Sequence, residues 1–198
     1  MPTSVAETRK QKRGAGVIPY AARGDGVHFL FQTTFSGRKT GYLIDFGGGV
    51  GPDEDFRQAA VREFIEETET LYFCEDVTTG RRSVETVRDQ TPVVEALFDN
   101  TLRASPDSWC RRAPGTSLRP KLWKTFFIEF PYRDIGPLNR EWESDGTGRF
   151  KKRRELVWVA ADELLAIYAD APDRLWKRVR QLENASQLVR SIARNGIL

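Results

Sequence analysis

The stretch GGGVGPDEDFRQAAVREFIEET, Gly47–Thr68, places three glutamates, Glu63, Glu66 and Glu67, at positions i, i+3 and i+4. The segment from about Asp55 to Thr68 reads as a helix. Pro52 and the acids Asp53, Glu54 and Asp55 suit a helix start, where the macrodipole favours negative charge. Val61, Phe64 and Ile65 recur on one side with Ala60 at its edge, so the helix is amphipathic. On it the three carboxylates fall within an arc of roughly 100°. Each like-charge pair costs on the order of 0.2–0.5 kcal/mol. Between Asp53 and Glu69 seven acids face only two arginines, Arg57 and Arg62. A chain that folds this helix must bring something positive to it. Hard divalent cations, which prefer oxygen ligands, meet that need.

Around this helix the chain alternates between strands and helices. Gly14–Arg23 and Val27–Phe35 read as two strands of a hairpin across the Gly24–Gly26 turn. Ser36–Gly41 reads as a loop and Tyr42–Gly49 as a short apolar strand running into glycines. Beyond the helix, Thr70–Val77 is expected to be a strand and Pro92–Leu102 a helix. Arg103–Pro120 is loop-like. Lys121–Phe130 is a strand, and Pro131–Arg154 is a long polar loop without periodicity. Glu155–Ala169 reads as a strand followed by a short helix. Pro172–Gly196 reads as one long helix, with Leu175, Val179, Leu182, Val189 and Ile192 on its apolar face. Residues 1–13 are polar and basic and read as a flexible tail; residues 14–198 read as one domain.

Composition narrows the function. Hydrophobic residues make up 39% of the 198, and five Trp and twelve Phe supply large buried areas, so a substantial core is expected. A net charge of +3 does not by itself indicate nucleic acid. One His and two distant cysteines, Cys74 and Cys110, argue against zinc and against a disulfide scaffold. No run approaches the ~18 apolar residues of a spanning helix, and the N-terminus has no apolar core of signal-peptide length. The reading is a soluble cytoplasmic protein without membrane contact.

The opening stretch also has a fixed spacing. Gly48 is followed by five residues and Glu54; seven more lead to Arg62-Glu63, then Phe64, one residue, and Glu66-Glu67. This resembles the box of the Nudix hydrolase family, G-x5-E-x7-R-E-U-x-E-E-x-G-U, where U is a bulky apolar residue. Two positions depart from it: Glu69 stands where the family has glycine, and Thr70 where it has an apolar residue. The resemblance implies an α/β fold, an α/β/α sandwich around a mixed β-sheet, here with an additional long C-terminal helix. It also implies a Mg²⁺- or Mn²⁺-dependent pyrophosphohydrolase acting on a nucleoside diphosphate linked to another moiety.

Residue roles follow from the same resemblance. Glu66 and Glu67 are the expected main metal ligands, and Glu63 a further ligand or the base that activates water. Arg62 is expected to orient them with Glu54 as its ion-pair partner, and the carbonyl of Gly47 to face the metal. The family often adds an acid outside the box; Glu141, Glu143 and Glu155 are the candidates, and Glu143 is taken as the catalytic one. The run RFKKRR, Arg149–Arg154, offers Arg149, Lys151, Lys152 and Arg153 as phosphate contacts; its plain alternative is an exposed basic loop. The expected partner is a phosphorylated small molecule, with RNA ranked below it and a homodimer left open. Trp123, Trp158 and Trp176 read as core residues, whereas Trp142, in a polar loop, is a candidate for stacking on a base. The competing function is a catalytically silent module that binds nucleotides or RNA.

Overall fold

The computed structural model describes residues 12–113 and 122–195. Apart from its last two residues, the expected basic tail lies outside them; Arg13 opens the first strand. Strand β1 (Arg13–Arg23) and β2 (Gly26–Thr33) form the expected antiparallel hairpin, followed by the short glycine strand β3 (Phe46–Gly49). Helix α1 (Phe56–Glu67) begins at Asp55, whose side chain accepts the N–H of Gln58 in a capping box. Then come α2 (Val84–Ala104), β4 (Trp109–Arg111), β5 (Leu122–Glu129), α3 (Gly136–Glu143), β6 (Glu155–Ala160), α4 (Ala161–Asp170), α5 (Lys177–Arg180) and α6 (Ala185–Asn195). No helix among the described residues is long and apolar enough to cross a membrane.

The six strands form one mixed sheet in the order β4-β5-β1-β2-β6, with β3 also paired to β1. Strand β1 is parallel to β5 along one edge. Its other edge is shared: Gly14–Val17 pair with β3, and Tyr20–Arg23 pair with β2. The sheet therefore forks in the middle of β1. Pro19, which has no N–H to donate, sits at the change-over. Beyond the fork β2 leans away, and Gln32 bridges to Ile44 just ahead of β3.

Alternation along the strands builds two cores. Val17, Leu30, Phe126 and Ile128 face α1, α2 and α3, and pack on Phe64, Ile65, Phe98 and Trp142. Ile18, Phe29, Phe31 and Phe127 face the other way, onto Leu164, Ile167, Val179 and Val189 of the last helices. The result is the expected α/β/α sandwich around a mixed sheet.

Several elements differ from the sequence reading. No strand spans Thr70–Val77; Leu71–Phe73 is a 3-10 turn instead. Glu69 and Thr70, the two residues that depart from the box, both take left-handed backbone angles, φ 50° and 63°. They turn the chain without the glycine that such angles favour. The predicted helix Pro92–Leu102 is the second half of α2, which starts at the cap Ser83 and carries exposed Pro92 inside it. The polar loop Pro131–Arg154 contains α3, and Trp142 is fully buried there, so it is no stacking platform. A short strand, β4, lies in the segment read as loop. The long C-terminal helix is broken into a 3-10 turn, α5 and α6, with left-handed Asn184 (φ 60°) at the break. Its predicted apolar face is nevertheless buried. The last residue of that prediction, Gly196, lies outside the described residues.

Thr70 is β-branched, and the left-handed region is costly for it. Its hydroxyl recovers only a local bond, donating to the carbonyl of Glu69 at 2.6 Å. Thr70→Gly should shift stability by less than about 1 kcal/mol, because relief of the left-handed angle is offset by the lost burial of Thr70 and by a freer unfolded chain. Urea denaturation at equilibrium checks this: a midpoint close to the parent's with an unchanged slope is expected.

Candidate active site

The site lies where the fork meets α1. Strand β3 must approach both β1 and α1 closely. A Cβ on Gly47 would stand 2.4 Å from the carbonyl oxygen of Ala15, and one on Gly48 would stand 2.2 Å from Oε1 of Glu63. The glycines therefore do two jobs. Gly47 lets β3 pair with β1, and Gly48 leaves room for a carboxylate against the strand.

Arg62 is the hub of one half of the site. Its Nε donates to Glu54 Oε1 at 2.6 Å and its Nη2 to Glu54 Oε2 at 3.0 Å. Nη2 also donates to the Gly49 carbonyl at 2.9 Å, and Nη1 to Glu63 Oε1 at 2.9 Å. Glu66 Oε2 lies 3.7 Å from Nη1. One guanidinium thus ties the loop before the helix, the end of β3 and two helical carboxylates together. Its hydrogen bond holds the Glu54 carboxyl below its ordinary range. Glu54 also accepts the N–H of Gly51 at 2.8 Å, which fixes the intervening loop. On the outer side, Arg82 reaches Glu66 Oε2 at 3.3 Å and Glu69 Oε1 at 4.0 Å.

Glu67 forms the other half and is buried. Its Oε2 accepts the Gly47 N–H at 2.8 Å and the Gln32 amide at 2.6 Å. Its Oε1 lies 3.9 Å from both Lys152 Nζ and Arg154 Nη2. Burial pushes this carboxyl above its ordinary value, although Arg178, the Gly47 N–H, Lys152 and Gln32 all pull the other way. Beneath it, fully buried Asp45 holds Arg178 through one carboxylate oxygen and through its carbonyl, the latter at 2.7 Å. Thr125 donates to the second carboxylate oxygen at 3.2 Å. Gln32 joins the two layers by also donating to the Asp45 carbonyl at 3.1 Å.

Other proposed residues sit elsewhere. Arg149 turns inward, onto the carbonyls of Gly80 (3.0 Å) and Val77 and onto Glu141 at 2.9 Å. Arg153 donates to the carbonyls of Trp142 and Glu143 at 2.6 and 2.7 Å. Both guanidiniums staple loops. Lys151 is exposed, and Lys152 alone of the four faces the box carboxylates. Glu143 and Glu155 are exposed, one at the end of α3 and the other at the start of β6. Sequence reasoning does not single out Gln32, Asp45, Arg82 or Arg178, and it includes Arg154 only as the last member of the basic run. Asp45 carried a signal: a charge between Ile44 and Phe46 in an apolar strand demands a buried partner.

Among the described residues, no three acidic, His or Cys side chains converge on a single metal position. The donor chemistry still fits a hard cation. Glu63, Glu66 and Glu67 offer only oxygen from one helix face, beside the carbonyls of the glycine strand. Mg²⁺ commonly takes one or two carboxylates and completes its shell with water and substrate phosphates.

Gly47→Ala should cost about 1–3 kcal/mol, because its Cβ meets backbone. Gly48→Ala should cost less than about 1 kcal/mol, because it displaces only the end of a flexible side chain. Thermal melts of the two variants check the contrast.

The family model described as NUDIX domain matches residues 10–180 of this chain. A search among curated proteins found no match. Among solved structures, the chain is similar to a C. elegans Ap4A hydrolase binary complex at 14% identity and TM-score 0.49, over 93% of this chain and 96% of that one. It is also similar to a Nudix hydrolase from Alicyclobacillus acidocaldarius at 12% identity and TM-score 0.46, over 94% and 93%. A third is RenU, a Nudix hydrolase from M. smegmatis, at 15% identity and TM-score 0.43, over 92% and 86%.

Proposed function

This chain belongs to the Nudix domain family, and from that premise we propose that it is a Mg²⁺- or Mn²⁺-dependent pyrophosphohydrolase. Its substrate would be a nucleoside diphosphate linked to another moiety, such as a nucleotide sugar or a dinucleoside polyphosphate. Water attacks one phosphorus of the diphosphate, the bridging P–O bond breaks, and two phosphate-bearing products leave.

The observation that carries this reading is Glu67: a buried carboxylate held to a glycine strand by a backbone N–H, with Glu63 and Glu66 on the same helix face. Glu66, Glu67, Glu63 and the Gly47 carbonyl would hold the cation. When bound, it supplies charge to polarise a phosphate and to lower the pKa of a water. The protein's part is orientation. Arg62 fixes Glu63 and Glu54, Arg82 fixes Glu66, and Gln32 with the Gly47 N–H fixes Glu67. Glu63 would take a proton from the attacking water, and Lys152 would meet a phosphate.

Release of phosphate-bearing products should be screened across nucleotide sugars, dinucleoside polyphosphates, nucleoside triphosphates and inositol pyrophosphates, with Mg²⁺ and with Mn²⁺. One class should turn over and stop with a chelator. Glu63→Gln should lower kcat by about 10²–10⁴-fold, with Glu67→Gln close to inactive. Turnover unchanged in both variants would contradict the assignment. Binding without turnover of any class would favour a silent module.

A further inference from the structure

The cations around α1 are held in two different ways. Arg62 makes hydrogen bonds of 2.6–3.0 Å to Glu54, Gly49 and Glu63. Arg178 is bonded to the carboxylate and the carbonyl of buried Asp45. These two are fixtures. Lys152 and Arg154 differ: each stands 3.9 Å from the same oxygen, Oε1 of Glu67, beyond hydrogen-bond length. Both are aimed at that oxygen by other anchors. The backbone N–H of Lys152 is bonded to Glu69 Oε1 at 2.9 Å, leaving its ammonium on a flexible stem. Arg154 donates through Nε to Gln32 Oε1 at 2.8 Å, and through Nη1 to the Arg153 carbonyl at 3.3 Å. Its Nη2 is the group turned to Glu67.

We propose that Lys152 and Arg154 are exchangeable cations, which neutralise Glu67 in the metal-free protein and turn to substrate phosphates once a divalent cation takes that carboxylate. The inference rests on the metal assignment made above. Two positive groups cannot share one carboxylate oxygen with a divalent cation without strong repulsion. The contacts they give up are long, and the incoming cation replaces their charge at the buried carboxylate, so Glu67 is not left unbalanced by their release. A guanidinium and an ammonium released beside the cation meet phosphate oxygens in their preferred roles, a fork and a point charge. Glu69 gains a purpose here. In place of the family's glycine it anchors the segment that carries both cations.

The test is calorimetric titration of Mn²⁺ alone into the full chain, without substrate. Lys152→Gln and Arg154→Gln should each bind Mn²⁺ about three- to tenfold tighter than the parent. Arg154→Lys, which keeps the charge, should stay near the parent. With Mn²⁺ saturating, α,β-methylene-ADP should bind the two neutral variants about three- to tenfold more weakly. Unchanged or weaker Mn²⁺ binding in both neutral variants overturns the exchange, whatever happens to activity. Equal nucleotide binding by parent and variants, or none by either, overturns the phosphate role. Lys152 has a side chain 37% exposed, so its variant keeps the test decisive if Arg154→Gln does not fold. A parent that binds no Mn²⁺, or a Glu67→Gln variant that binds it equally well, removes the metal assignment itself and is distinguishable from failure of the exchange alone.

Discussion

The hydrogen bond from the Gly47 N–H to Glu67 joins the sheet to the acidic helix, and much of the structure follows from it. A carboxylate buried to this degree is costly unless it is bonded and balanced. The bond requires β3 to lie against α1 and β1, which in turn requires glycine at 47, where a Cβ would meet backbone, while glycine at 48 leaves room for the Glu63 carboxylate. It requires the sheet to fork, so that β3 takes the part of β1 that β2 leaves. Through Gln32 and Asp45 it draws Arg154 and Arg178 in from distant parts of the chain. The charge crowding of the helix is thus resolved in two ways at once: Arg62 and Arg82 on the outer side, and a backbone amide with basic side chains on the inner side.

This division separates rigidity from exchange. The Arg62 hub is multiply bonded and the Asp45–Arg178 pair is buried as well, and they set where the carboxylates stand. The segment before β6 is fixed by its backbone and by stapling guanidiniums, Arg149 and Arg153, but leaves the ends of Lys152 and Arg154 at longer range. A basic run that looks uniform in sequence is divided by the fold into structural and site-facing residues. Lys152 and Arg154 turn toward Glu67, while Arg153 between them turns to the carbonyls of Trp142 and Glu143.

Legibility in the sequence followed the range of the interaction. The hairpin, α1 and the β6–α4 unit were readable because their periodicity and caps are local. The box was readable because its spacing is local too. Helix α2 was half read, since Pro92 looks like a helix start, yet it sits exposed inside a helix capped by Ser83. The C-terminal segment kept a helical apolar spacing across a left-handed residue, Asn184, which periodicity cannot register. Helix α3 was hidden in polar sequence, its burial resting on Leu138 and Trp142. Arg154 meets Gln32 across 122 residues and Arg178 meets Asp45 across 133, pairings that no local pattern can state.

The central claim is that these carboxylates form one cation site at the glycine strand. Anomalous diffraction from crystals soaked in Mn²⁺ tests it most directly. The account predicts a Mn²⁺ peak beside Glu67, within coordination reach of at least one other box glutamate, with Lys152 and Arg154 withdrawn from Oε1. A crystal saturated with Mn²⁺ that shows no peak there, or a peak bound only by surface acids far from β3, would contradict it.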